Sequence, residues 1–267
     1  MSLTVFRSML QLRRVSLIWY SIGLAAYGWF IVAFFPLIEE NLDYMQAIED
    51  VFTEEMLAVF GGSGLDFSTF GGFVGVEYMS LIWVFIVAAA VIPFAGGALG
   101  GAVDDGTMEL TLSQPVSRTQ VALTRYLALV VYAGALNLVT VATLYVPGLL
   151  HDVDVQLDAM ALLFVIGWLV TLAIGGFAYM VSALSTGSGR AVGVSLGVIG
   201  AMWLADVLGN ISERFDWLTH ISLFHYWRPD QVIDDLTVSG EAWAIFGVAA
   251  ALFFVVAIWA FRRRDVV

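Results

Sequence analysis

Eleven arginines and no lysine carry the basic side-chain charge of this 267-residue chain, and their placement constrains the fold more than any other feature. Six long apolar runs lie between them: Val15 to Ile38, Tyr78 to Leu99, Thr124 to Val146, Ala159 to Ala183, Ala191 to Gly209 and Ala242 to Phe261. Each can cross ~30 Å of hydrocarbon at helical rise. Threaded alternately with the N-terminus inside, they place Arg7, Arg13, Arg14, Arg118, Arg125, Arg190, Arg262, Arg263 and Arg264 on the cytoplasmic side and only Arg214 and Arg228 outside. That is the partition the positive-inside rule requires. Carboxylates sort the other way, because only Asp104, Asp105, Glu109 and Asp265 fall inside. The inner side therefore carries +5 and the remainder −17, which together give the formal net charge of −12.

A composition of 60% hydrophobic and 13% charged residues fits this reading, since about a quarter of the residues of a soluble domain are charged. The expected class is an all-α, multi-pass protein of the plasma membrane, with six transmembrane helices and both termini cytoplasmic. Residues 1–14 alternate Val5, Phe6, Met9, Leu10 and Leu12 with Arg7, Gln11, Arg13 and Arg14, which suits a short amphipathic helix in the inner interface. A frayed basic tail attracted to anionic lipid fits the same residues. Residues 15–267 then form one transmembrane domain, with an inner loop at 100–123 and outer loops at 39–77, 147–158 and 210–241. The chain start lacks the layout of a cleaved signal peptide, so the first span is expected to be retained.

Several chemistries have no residues to carry them. Without cysteine there is no disulfide framework, thiolate metal site or thiol nucleophile. His151, His220 and His225 form no H-E-x-x-H pair, and no serine sits in a G-x-S-x-G elbow, so no catalytic or metal residue is assigned. Glu54-Glu55 lacks a following arginine and is placed outside. The acidic exterior, including Glu39, Glu40, Asp43, Asp152 and Asp154, reads as a solvated face or as a cation-collecting vestibule. Arginine in place of lysine, with this acidity, suggests a halophilic archaeal source, where the Debye length is ~3 Å at 1 M salt.

The inner loop is the most informative local sequence. Asp104-Asp105-Gly106-Thr107 precedes a short apolar-polar stretch in which Thr107 is expected to cap a helix and Glu109 to face its dipole. Pro115 discourages continuation, and Ser117 with Gln120 makes a capping box for the third span. Tyr44 to Phe60 reads as an amphipathic outer helix ended by Gly61-Gly62-Ser63-Gly64. Within the spans, Asn137 and Thr140 line a substrate path or bond across helices, and Asp206 near an outer end is a functional candidate. Gly96 with Gly100, Gly97 with Gly101, and Gly193 with Gly197 mark helix packing or a dimer seam.

The ordered residues Asp105-Gly106-Thr107, Leu112 and Pro115-Val116-Ser117-Arg118, then Ser182-Ala183-Leu184, Ile221 to Pro229, and Phe261 to Val266, resemble the ABC-2 type permeases, membrane subunits of ATP-binding-cassette transporters. The resemblance covers nearly the whole chain; Asp104 and Asp105 stand where such sequences often show Glu, and Arg125 where Lys is common. It implies a coupling helix near Thr107 to Gln114 that docks on a cytoplasmic ATPase, with Asp104, Asp105, Gly106, Thr107, Glu109, Pro115, Ser117 and Arg118 at the contact. It also implies a second permease copy or related permease, a lipid environment without nucleic acid, and export. No cofactor is expected on this chain; ATP and Mg belong to the partner, because a phosphate loop of the G-x-x-x-x-G-K-[ST] type needs a lysine. An ion- or proton-coupled transporter and a structural or maturation-factor subunit are the alternatives.

Cysteines introduced at Thr186 and Thr237 should react with an impermeant thiol reagent from opposite faces, Thr237 from outside. Labelling of both from one side would dismantle the six-span topology.

Overall fold

The computed structural model describes residues 3–41, 68–113 and 115–264. Among these residues ten α-helices are formed: α1 (Leu3–Glu39), α2 (Phe70–Val74), α3 (Ile82–Gly96), α4 (Ala102–Asp104), α5 (Thr107–Leu112), α6 (Arg118–Leu150), α7 (Leu157–Leu184), α8 (Ser188–Ile211), α9 (Pro229–Asp234) and α10 (Gly240–Arg263). π-helical segments at Gly75–Met79 and Gly97–Gly101 and 3-10 turns at Glu213–Ile221 and Phe224–Tyr226 complete the described residues, which hold no strand. Among the described residues six helices are long and apolar enough to cross a membrane: Val5–Glu39, Ile82–Asp104, Arg118–Leu150, Leu157–Leu184, Ser188–Ile211 and Gly240–Arg263. The all-α, six-span expectation therefore holds.

Three boundaries differ from the reading above. The N-terminal amphipathic stretch is helical but is not a separate element, because α1 runs unbroken from Leu3 into the first span. No Gly or Pro stands in its first five turns to interrupt it, and Phe6, Met9 and Leu10 pack on the bundle core. The second span begins at Ile82 and not at Tyr78, since a turn at Ser80 and Leu81 divides the apolar run. The supposed outer loops at 39–77 and 210–241 contain structure that joins them: α2 packs against α9. There the Gly71 amide donates to the Asp234 carboxylate at 2.8 Å, and a methyl on Gly71 would overlap that carboxylate at 2.5 Å. An anion placed against helix-start amides is a favourable pairing. The expected Tyr44 to Phe60 helix and the Glu54-Glu55 pair lie outside the described residues.

Helix α7 is the centre of the bundle and packs on α3, α6, α8 and α10. Its small residues make this possible, for Gly175 sits against Leu129 and Val91, and Gly167 against Asn137, Trp83 and Trp227. The most apolar stretch of α3 is 67% buried, whereas those of α8 and α10 are each 28% buried and form the periphery. Leu196, Leu204 and Leu208 of α8 and Val248, Leu252 and Val255 of α10 face outward, as lipid-facing side chains must.

The glycine pairs separate into two kinds. A methyl on Gly100 would lie 2.7 Å from the Ser182 carbonyl and 2.8 Å from that of Ser185, and one on Gly96 would lie 2.9 Å from Val192. That seam is internal packing between α3, its π-helical extension and the α7–α8 region. Around Gly193 and Gly197 nothing lies within 4 Å.

Gly100→Ala should therefore destabilise the detergent-solubilised protein by ~1–3 kcal/mol through overpacking against backbone. Gly193→Ala should be neutral or raise stability by up to ~1 kcal/mol through helix propensity. Thermal melts of both variants check this, and equal losses would refute the internal seam.

Candidate functional site

The arginine-rich ends of the helices converge on a jointed segment that leaves the membrane-spanning part of α3. Helical geometry loosens at the π-helical Gly97–Gly101, resumes for α4, and closes at Gly106, the one described glycine with positive φ (70°). Asp105 N donates to Gly101 O at 2.9 Å and Gly106 N to Val103 O at 3.2 Å, satisfying the end of α4. Helix α5 then begins at Thr107. The expected cap by Thr107 is not formed: Gly106 is the N-cap, and the Thr107 hydroxyl turns back to donate to Ala102 O at 3.2 Å. A left-handed Gly106 brings Thr107 into the helix itself, so its hydroxyl meets the preceding helix end. Pro115 follows the last turn, and the capping box at Ser117 and Gln120 opens α6 as expected.

Helix α5 is fixed by one side and open on the other. Met108 is fully buried, and Val103, Leu112 and Val116 pack partly on the core. Asp104, Asp105, Thr107 and Glu109 are exposed, and so is Leu110, at 72%. The openness of this leucine had no signal in the sequence beyond its place in an apolar-polar stretch. Arg118 is not on this open face: it is part-buried and donates to the Arg264 carbonyl, tying the start of α6 to the end of α10.

Behind α5 stands a hub that sequence patterning did not reveal. The buried Ser182 hydroxyl of α7 donates to Gly96 O at 2.6 Å and accepts from Leu99 N at 3.1 Å and Gly100 N at 2.9 Å. Buried Arg125 donates to Ala98 O, and Arg13 donates to Pro93 O at 3.3 Å. A methyl on Gly101 would lie 3.0 Å from Ser188, and one on Gly187 would lie 3.0 Å from the Asp104 carboxylate. Asp104 thus abuts the N-terminus of α8, where negative charge is favourable. The jointed segment is held between α7, α6, α1 and the α7–α8 turn. Ser182 lay within a recognised three-residue stretch, but a lone serine in an apolar run gives no pattern from which to read its three partners.

The interior candidates are engaged within the chain. Asn137 Nδ2 donates to Ala133 O and Thr171 Oγ1, both at 2.9 Å; the Thr140 hydroxyl donates to Leu136 O at 3.0 Å and accepts from Trp83 Nε1 at 2.9 Å. Trp83 stacks on Trp227 with ring centroids 5.0 Å apart. This is the interhelical bonding reading of Asn137 and Thr140. Asp206 differs: it is 8% exposed, its Oδ2 meets Asn210 Nδ2 at 3.4 Å, and its Oδ1 has no partner among the described residues. Elsewhere a 190 Å³ cavity is lined in part by His225, Arg228, Gln231 and Glu241. Arg228 pairs with Asp230 at 3.3 Å, the one ion pair among the described residues. Burial holds the His225 imidazole below its ordinary value, and the nearby His220 and Arg228 act in the same direction. No cluster that could hold a metal ion occurs among the described residues.

Compared with known proteins, the chain matches the model of a family described as ABC-2 family transporter protein over residues 25–266. Curated proteins give no match.

Ser182→Ala removes one partner from a carbonyl and from two amides at once, and an unsatisfied buried group costs ~1–3 kcal/mol. We expect a marked fall in melting temperature in detergent, with Ser182→Thr retaining part of the stability because it keeps the hydroxyl. A variant as stable as the parent would show that the hub is dispensable.

Proposed function

This chain belongs to the ABC-2 family of transporter proteins, the membrane permease subunits of ATP-binding-cassette transporters, and from that premise we propose that α5 is the element through which a separate cytoplasmic ATPase drives export of a substrate. The observation that carries the proposal is the division of α5 into a buried anchor, Met108, and an open face of Leu110 and Glu109 beside Asp104 and Asp105. Such a face suits a groove on a partner with an apolar floor and a basic rim. ATP and Mg sit on that partner. A second permease copy shares the path, and the open surface of α8 around Gly193 and Gly197 supports this by allowing close backbone approach.

In the proposed cycle, nucleotide binding draws two ATPases together and shifts the two α5 elements. Each shift passes through α4 and the π-helical Gly97–Gly101 to Ser182 on α7 and to the start of α8. The chain's own contribution is mechanical: its side chains hold the joint and transmit displacement to helices that bound the path. Asp206 is the specific feature that favours the ion-coupled alternative, because a buried carboxylate oxygen without a partner among the described residues is a place for a proton or cation. Transport in vesicles separates the readings. ATP-dependent transport that survives collapse of ion gradients supports the first, and transport by the chain alone on a gradient supports the second.

Leu110→Ser and Glu109→Arg alter side chains already exposed, so permease yield should stay level, the usual effect of surface changes being within ~0.5 kcal/mol. If Leu110 is a docking anchor, losing ~2 kcal/mol of contact weakens ATPase binding about thirtyfold. Met108→Ala should show the opposite pattern, with permease yield falling first. Permease yield, bound ATPase and ATP hydrolysis are measured in one preparation. Unchanged ATPase retention by both open-face variants would remove α5 as the docking element.

A further inference from the structure

A groove of 430 Å³ opens between α6 and α10 at the arginine-rich end of the bundle. It lies where α10 packs chiefly along α7 and only lightly on α6. Its floor is apolar: Leu123 of α6 with Phe254, Val255 and Ile258 of α10. Its mouth is polar, with Thr119 one turn before Leu123 and Arg262 one turn after Ile258. From Arg262 to Phe254 the groove runs ~12 Å along the helix axis. The volume falls within the ~300–1,000 Å³ typical of small-ligand sites.

The charge at the mouth is uncommitted. Arg118 donates to Arg264 O, Arg264 to Ala183 O at 3.4 Å, Arg125 to Ala98 O, and Arg263 lies 4.3 Å from the centroid of the Trp259 ring. Arg262 alone of this group has no hydrogen bond, ion pair or ring contact among the described residues, and no carboxylate lines the groove. Thr119 stands in the first turn of α6, a 33-residue helix whose dipole favours an anion there. Trp259, also at the mouth, is of the type enriched at headgroup depth. The groove therefore has the shape and polarity of an amphiphile with one apolar tail and an anionic head.

We propose that this groove binds one anionic phospholipid, its acyl chain along Leu123, Phe254, Val255 and Ile258 and its phosphate held by Arg262 and the Thr119 hydroxyl. The site is separate from α5 and does not depend on ATPase coupling. Bound there, the lipid bridges the start of α6 and the end of α10, the same two ends that Arg118 and Arg264 join from inside.

The test uses the full-length chain in vesicles of equimolar phosphatidylglycerol and phosphatidylcholine, extracted in mild detergent, with retained lipid counted by native mass spectrometry. The parent should retain phosphatidylglycerol in preference to phosphatidylcholine. Arg262→Gln should cut that preference roughly fivefold, the effect of removing one arginine near an anionic headgroup, while Val255→Trp, which fills the floor, should lower retention of both lipids. Melting curves show whether each variant is folded, and Arg262→Gln changes only an exposed side chain, so it remains informative if Val255→Trp is not. Equal retention of both lipids by the parent, or an undiminished preference in Arg262→Gln, would overturn the site. Loss of self-association in Val255→Trp with lipid retention unchanged would assign the groove to a second copy of the chain instead.

Discussion

In hydrocarbon no water is present to bond a peptide group that helix geometry leaves free, and this one constraint organises the interior of the bundle. Pro93 has no N–H to give to Ala89 O, and the Tyr20 hydroxyl donates to that carbonyl at 3.0 Å. Where the ladder is re-spaced at Gly97–Gly101, Ser182 and Arg125 add side-chain bonds to the backbone. Elsewhere the Tyr78 hydroxyl donates to Leu24 O at 3.2 Å, Trp227 Nε1 to Met79 O at 3.1 Å, and Tyr179 to Ala122 O at 2.6 Å. Each of these polar side chains in an apolar chain spends its hydrogen bond on the backbone of another helix. Helix packing and backbone satisfaction are therefore one network, and an irregular segment is tolerated only where that network can reach it.

That network places the joints at the arginine-rich end. The π-helical stretch, α4, Gly106 and α5 form a chain of short, distinct pieces between two long helices, and the pieces are braced against α7 and the start of α8. A rigid, uninterrupted α3 would carry no such joint. The opposite end is braced differently, by the packing of α2 against α9 and the carboxylate of Asp234 at the start of α2. The two ends of this bundle are thus braced by different means.

Much of this was legible from residue type and spacing. The arginine partition and apolar runs located six spans, and Pro115 with Ser117 and Gln120 marked a helix stop and start because these act on their immediate neighbours. What was not legible depends on contacts between distant segments. Gly71 and Asp234 stand far apart in the chain in regions read as loops, and only the fold shows that one accepts the other's amide. Thr107 reads as a cap until the left-handed turn at Gly106 takes that position. Asn137 and Thr140 were visible as polar groups in a span, but whether they bond to a neighbour or face a path depends on Thr171 and Trp83, which periodicity cannot pair with them. The open leucine at 110 was hidden for a related reason: exposure belongs to the packed helix and not to the residue.

The Ser182 hydroxyl has one proton and two lone pairs, and all three are in use, toward Gly96 O, Leu99 N and Gly100 N. A saturated oxygen of this kind cannot exchange partners one at a time without leaving a buried peptide group bare. Sliding of α7 past the end of α3 must release the three bonds together or keep them together. The three bonds thus act as one contact, and a single oxygen near the end of α7 holds it in register with the end of α3.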